Sequence, residues 1–208
     1  MTVAGPRNRA AAAVAVAAFA AAGCSSATEG AAEPSPVSSS AANSSAAGPA
    51  VPNPLDPARY LADPCAAVPP DVLAALRYTT PGEATLAGSP RATAGPGCGW
   101  DIGAEGLSVQ IIFGTANRDK GIGGIAGIYR AKDSGQYAFA EPAPAVEGYP
   151  AVFGDRLDRR AQGNCTLWVG LADDLAFAAA SMGYQGNQDS CQVAEKVAAA
   201  VVSTLKGA

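Results

Sequence analysis

The chain carries five cysteines, at positions 24, 65, 98, 165 and 191, and no histidine. Without an imidazole there is no Ser-His-Asp or Cys-His catalysis, and most zinc sites lose a ligand type. No two cysteines stand in a C-x-x-C arrangement, so neither a redox pair nor a thiolate metal site is indicated. Cys65, Cys98, Cys165 and Cys191 are therefore candidates for disulfides in a compartment that permits oxidation. Four cysteines allow three pairings, and spacing alone does not choose among them. The expected pairs are Cys65 with Cys98 and Cys165 with Cys191. Each would tie the N-terminal end of a helix to the start of a strand and close a loop of about 30 residues. A loop of that size stabilises by about 3 to 4 kcal/mol.

Carboxylates are what remains for acid–base chemistry. Asp155, Asp158 and the adjacent Asp173 and Asp174 form the obvious set, but their spacing fits no calcium loop, and they read as solvated turns. GIGGIA at 121–126 fits G-x-G-x-x-A, yet no strand leads directly into it, so a tight turn or close helix packing is expected instead. STLK at 203–206 fits S-x-x-K but lies in a C-terminal turn and lacks the companion triplets S-D-N and K-T-G. Asn164-Cys165-Thr166 has the form of a glycosylation sequon. Trp100 and Trp168, each two or three residues after a cysteine, are expected to pack the core rather than line a ligand cleft. On this reading no catalytic, metal or cofactor-binding residue is assigned, and the chain is expected not to be an enzyme.

The fifth cysteine has a different setting. Arg7 and Arg9 precede an uncharged run of Ala, Val and Phe over residues 10–22. That is the pattern of a signal peptide, and its 13 residues fall short of the roughly 20 that a membrane-spanning helix needs. Ala21-Ala22-Gly23-Cys24 resembles a bacterial lipobox, in which the cysteine thiol takes a diacylglyceryl group. Two acyl chains anchor stably where one does so only marginally. Cys24 is thus the expected lipidation site, and residues 1–23 the part removed. Their loss takes Arg7 and Arg9, leaving 12 basic against 18 acidic residues, a net charge near minus six. Such a chain has no basic block for nucleic acid or for anionic lipid heads.

Residues 24–54 are mainly Ala, Ser, Gly, Pro and Asn with no aromatic residue, a composition that cannot bury enough apolar surface to order itself. A tether is expected there, and a globular domain over 55–208. Within the domain a short helix is expected over 70–77, opened by Pro70 and Asp71 with Val72, Leu73 and Leu76 on one face. The turn-rich stretch 79–97 reads as loop. CGWDI and LSVQIIFG, separated by residues 103–106, form a hairpin, and a second joins CTLWVGLA to LAFAAASM through Asp173 and Asp174. Between them lie an ambiguous glycine-rich helix or loop near 116–131 and a short strand at 149–155. The final helix begins with Asp189 as cap and carries Ala194, Val197, Ala198, Val201 and Leu205 as one stripe. The expected fold is α+β: a single domain with an antiparallel sheet built from hairpins, N- and C-terminal helices packed on it, and two disulfides.

The lipobox, the Ser/Pro-rich tether, DPC before a short helix, CGW, GIAGIY, EGYPAVF and the closing SCQVAEKVAAAVVSTL together resemble the actinobacterial lipoproteins of the domain of unknown function 3558 family, over about 63–205. The resemblance implies an exported lipoprotein without an established activity and adds no catalytic residue. The expected role is a binding or interaction module at the outer face of the cytoplasmic membrane, held there by its lipid anchor. Its partner would be an envelope protein or small ligand, with no cofactor and no nucleic acid. A carboxylate-dependent cell-wall hydrolase and a carrier of apolar molecules are the alternatives.

Overall fold

The computed structural model describes residues 48–207, apart from the side chains of residues 187 and 188. The expected signal peptide, Cys24 and the first part of the expected tether lie outside the described residues. From residue 58 the chain makes two short 3-10 turns, the second at Pro64–Ala67 carrying Cys65, and then α1 at Pro70–Ala75. Three strands follow: β1 Glu83–Thr85, β2 Gly97–Ile102 and β3 Leu107–Phe113. Two helices, α2 Thr115–Asp119 and α3 Gly124–Asp133, lead to β4 Phe139–Val146, β5 Tyr149–Asp155, β6 Cys165–Ala172, β7 Leu175–Met182 and the long α4, Gly186–Lys206. All seven strands join one sheet in the order β1-β2-β3-β7-β6-β5-β4, every neighbour antiparallel.

The period of two in β3, β6 and β7 decides which side chains meet. Val109, Ile111, Phe113, Leu167, Val169, Leu171, Leu175, Phe177 and Ala179 all point to one face and are buried. Against them packs the α4 stripe of Ala194, Val197, Ala198, Val201 and Leu205, as expected. Phe177, on the central strand, sits opposite Phe113 on one side and Val169 on the other.

The termini of the helices depart from the sequence reading. α1 stops at Ala75 because Arg77 turns left-handed at φ 69°, while Tyr78 N–H bonds to Leu73 O and Arg77 N–H to Ala74 O. This is a Schellman closure with arginine where glycine is usual. Its guanidinium makes a bidentate pair with Glu105, at 2.7 and 2.6 Å. α4 begins at Gly186, so Asp189 lies in its first turn and does not cap it. Ser181 Oγ–H bonds to Ser190 O, and Cys191 is bridged to Cys165, which fixes this end of the helix on the sheet.

Residues assigned by composition to the end of the tether lie on the domain. Val51 is buried, and its N–H donates to Asp173 Oδ1 at 2.8 Å. Tyr149 donates its hydroxyl to Asn53 O, and Leu55 N–H bonds to Leu171 O. This strap runs past the β6–β7 turn, seven residues ahead of the expected boundary.

Both disulfides join the expected partners. Cys65–Cys98 ties the turn before α1 to β2, and Cys165–Cys191 ties the first residue of β6 to α4, over separations of 33 and 26 residues.

Candidate functional site

The second face of the sheet is covered over only part of its extent. Ile125 and Ile128 of α3 pack on Val152, Trp168, Ala176 and Ala178. The glycines of GIGGIA make this possible. Gly124 has φ 69°, and side chains at Gly123 or Gly124 would run into the carbonyl oxygens of Asp174 and Asp173. The space that a dinucleotide would need at these glycines is thus filled by the protein's own β6–β7 turn. With 10 residues α3 is about 15 Å long, against about 27 Å for an eight-residue strand. The first residues of β6, the last of β7 and the same face of β2 and β3 are left open.

Two grooves occupy this open part. The first, of about 510 Å³, lies over β1, β2 and β3, with Gly97 and Gly99 in its floor and Glu83, Arg91 and Asp101 around it. The second, of about 300 Å³, is bounded by Arg156, Leu157, Arg159 and Thr166. Gln110 and Met182 line both, so the grooves meet at a ridge formed by these two side chains. Each is within the size range of small-ligand sites. Leu157 and Met182, 55% and 38% exposed, both line the second groove and give it an apolar patch.

The sequence-predicted acidic set does not converge. Asp155 accepts Thr166 Oγ1–H at 2.8 Å and the N–H of Arg156 at 2.6 Å. Asp158 and Glu141 both bind Arg160, at 2.6 and 2.7 Å, and the guanidinium lies 4.1 Å from the centroid of the Phe139 ring. The hydrogen bonds from Arg160 hold both carboxyls below the usual range, and Asp158 and Glu141 in turn raise Arg160. Asp173 is occupied by the strap. Among the described residues, no group of three or more His, Cys, Asp or Glu side chains is placed to hold a metal ion.

The other candidates are structural. Trp168 is buried and donates Nε1–H to Gly154 O at 3.1 Å. Trp100 is buried in the main core, although it also lines the first groove. Asn164 Oδ1 accepts Gly183 N–H, Cys165 is in a disulfide and Thr166 is bonded to Asp155, so all three sequon residues are engaged. In STLK, Lys206 donates to Glu147 O at 2.6 Å and its ammonium lies 3.7 Å from the carboxylate of the same residue.

A half-buried phenol beside this region gives a pH signature. Tyr137, with its ring centroid 6.4 Å from that of Trp168, is pushed up to about 12, first by burial and then by Asp155. A tyrosine that binds its proton more tightly folded than unfolded contributes its full stabilisation below pH 10 and loses it as pH rises towards 12. Tyr137 should therefore cost the fold about 1.4 kcal/mol per pH unit between 10 and 12. Urea titrations of wild type and Tyr137→Phe across that range should show a slope shallower by this amount in the variant; parallel slopes would contradict the assignment.

The described domain is thus a disulfide-stapled α+β fold with one sheet face filled and the other half open. The chain belongs to the family described as protein of unknown function (DUF3558), whose profile matches residues 19–204. No curated protein and no solved structure matched the chain.

Proposed function

We propose that the chain is an exported lipoprotein, anchored through Cys24 at the outer face of the cytoplasmic membrane, whose folded part is a non-enzymatic binding module. The observation that carries the binding reading is the half-open sheet: two contiguous grooves, on a rigid antiparallel scaffold, in which exposed apolar and charged side chains surround a floor of small residues. Signal pattern, lipobox and stapled fold support export. Among the described residues no helix is long and apolar enough to cross a membrane. Envelope proteins and small ligands are the partners in view, and the acidic chain does not suit nucleic acid.

One observation favours a second reading, a carboxylate-dependent hydrolase. Glu83 stands opposite Gly99, two residues before Asp101 on the same face, so the two carboxylates flank the first groove. Diagonal neighbours across a strand pair have backbones roughly 7 to 8 Å apart, from which the two flexible side chains can reach the carboxyl separations used by inverting glycosidases. Both side chains are exposed on an open surface where nothing excludes water, and the binding reading is therefore preferred.

The anchor is tested by phase partition. Wild type is expected in the detergent phase and Cys24→Ser in the aqueous phase or unprocessed; equal partition would remove the anchor. A photo-crosslinking residue at Gln110, in cells, is expected to trap a partner on the ridge. Release of wall fragments by wild type, abolished in Glu83→Gln, would favour the hydrolase.

A further inference from the structure

The second groove is cationic in an acidic protein. Arg156 and Arg159 are exposed and make no side-chain hydrogen bond or ion pair among the described residues, whereas Arg160 beside them is saturated by Asp158 and Glu141. The one carboxylate in the groove, Asp155, is already engaged by Thr166 and the Arg156 N–H. Of the large apolar side chains exposed among the described residues, Leu86, Ile122, Leu157 and Met182, two line this groove. The side chain of Gln110, half-buried on the ridge, makes no hydrogen bond among the described residues, leaving both a donor and an acceptor free.

These features select one occupant. Two separate guanidiniums flanking an apolar surface match a polymer that alternates carboxylates with apolar side chains, while a single-headed amphiphile presents only one anionic group. An acyl chain would also need an enclosed cavity, and this groove is open with Gln110 and Thr166 in its lining. A bilayer is disfavoured by charge, because the mature chain is net acidic.

We infer that this groove binds an acidic, apolar-bearing peptide segment of a protein partner, its carboxylates on Arg156 and Arg159 and an apolar side chain between Leu157 and Met182. The inference rests on the binding reading above and gives it a ligand class. Bidentate carboxylate pairing sets the position of the segment, and Gln110 is free to bond its backbone.

The test uses the mature chain and a fluorescein-labelled decapeptide of alternating Asp and Leu, read by anisotropy. The affinity is expected to fall about tenfold in the R156E/R159E variant and on replacing Leu by Ser in the peptide, with weakening as salt rises. R59E, away from the groove, should bind like wild type. Because Arg156 and Arg159 are exposed, unchanged melting of the variant will separate lost binding from lost folding. Undiminished affinity in R156E/R159E, equal binding of an alternating Lys and Leu peptide, stronger retention on phosphatidylglycerol vesicles, or no binding by wild type at about 1 mM peptide would each overturn the proposal. Capture at Gln110 of a partner without an acidic segment would also overturn it, yet leave the binding reading in place.

Discussion

Replacing all four bridged cysteines by alanine is expected to lower the stability of the domain by about 7 kcal/mol. Cys65–Cys98 closes a loop of 33 residues and Cys165–Cys191 one of 26. The chain-entropy relation gives about 3.5 kcal/mol for each. The domain's whole net stability should be about 5 to 15 kcal/mol, so this loss takes from about half to all of it. Each pairwise variant should remain folded with roughly half the loss. Urea titration of the three variants measures this directly. A loss below about 2 kcal/mol in the four-alanine variant would mean that the bridges only decorate an already stable fold. The result bears on compartment as well, because a chain this dependent on its bridges would fold poorly where thiols are kept reduced.

Phe177→Ala should be the most damaging single core truncation, at about 4 to 5 kcal/mol. The ring is fully buried on β7, the fourth of seven strands, between α4 and the rest of the sheet. Its nearest aromatic neighbour, Phe113, is 6.1 Å away between centroids, and both flanking strands are held in register, so little can collapse into the space left behind. Thermal unfolding should shift down by roughly 10 to 20 °C. Met182→Ala, five residues along the same strand but exposed, serves as the comparison and should move the midpoint little. Equal shifts for the two would mean that the core around Phe177 relaxes freely.

The elements read correctly from the sequence are those where alternation and burial agree. In LSVQIIF and LAFAAASM the residues of one phase are nearly all apolar, and those strands lie at the centre of the sheet. β4 escaped notice because Glu141, Pro142 and Pro144 break any strand pattern, yet proline is tolerated there because β4 is an edge. β1, three residues long with Glu83 and Ala84 exposed, carried no signal at all. In α3, glycines that argue against a helix are needed for its close approach to the β6–β7 turn, and the burial of Ile125 and Ile128 overrides propensity. The disulfides were legible because each joined two elements that were themselves legible. The grooves were not. Gln110, Arg156, Arg159 and Met182 come from three separate stretches of chain, and each alone is an ordinary surface residue. Only the order of the strands brings them together.

The strap over residues 48–55 gives the domain a mechanical character. Any pull arriving through the chain ahead of Gly48 falls first on Val51 N–H to Asp173, then on Asn53 O to Tyr149 and Leu55 N–H to Leu171. None of these residues except Tyr149, Leu171 and Asp173 belongs to the sheet hairpins, and no residue of the strap lies inside a disulfide loop. Tearing the strap free would lengthen the connection by roughly 25 Å before any strand parts from its neighbour. The strap is thus the part of the domain that such a pull meets before it reaches any strand.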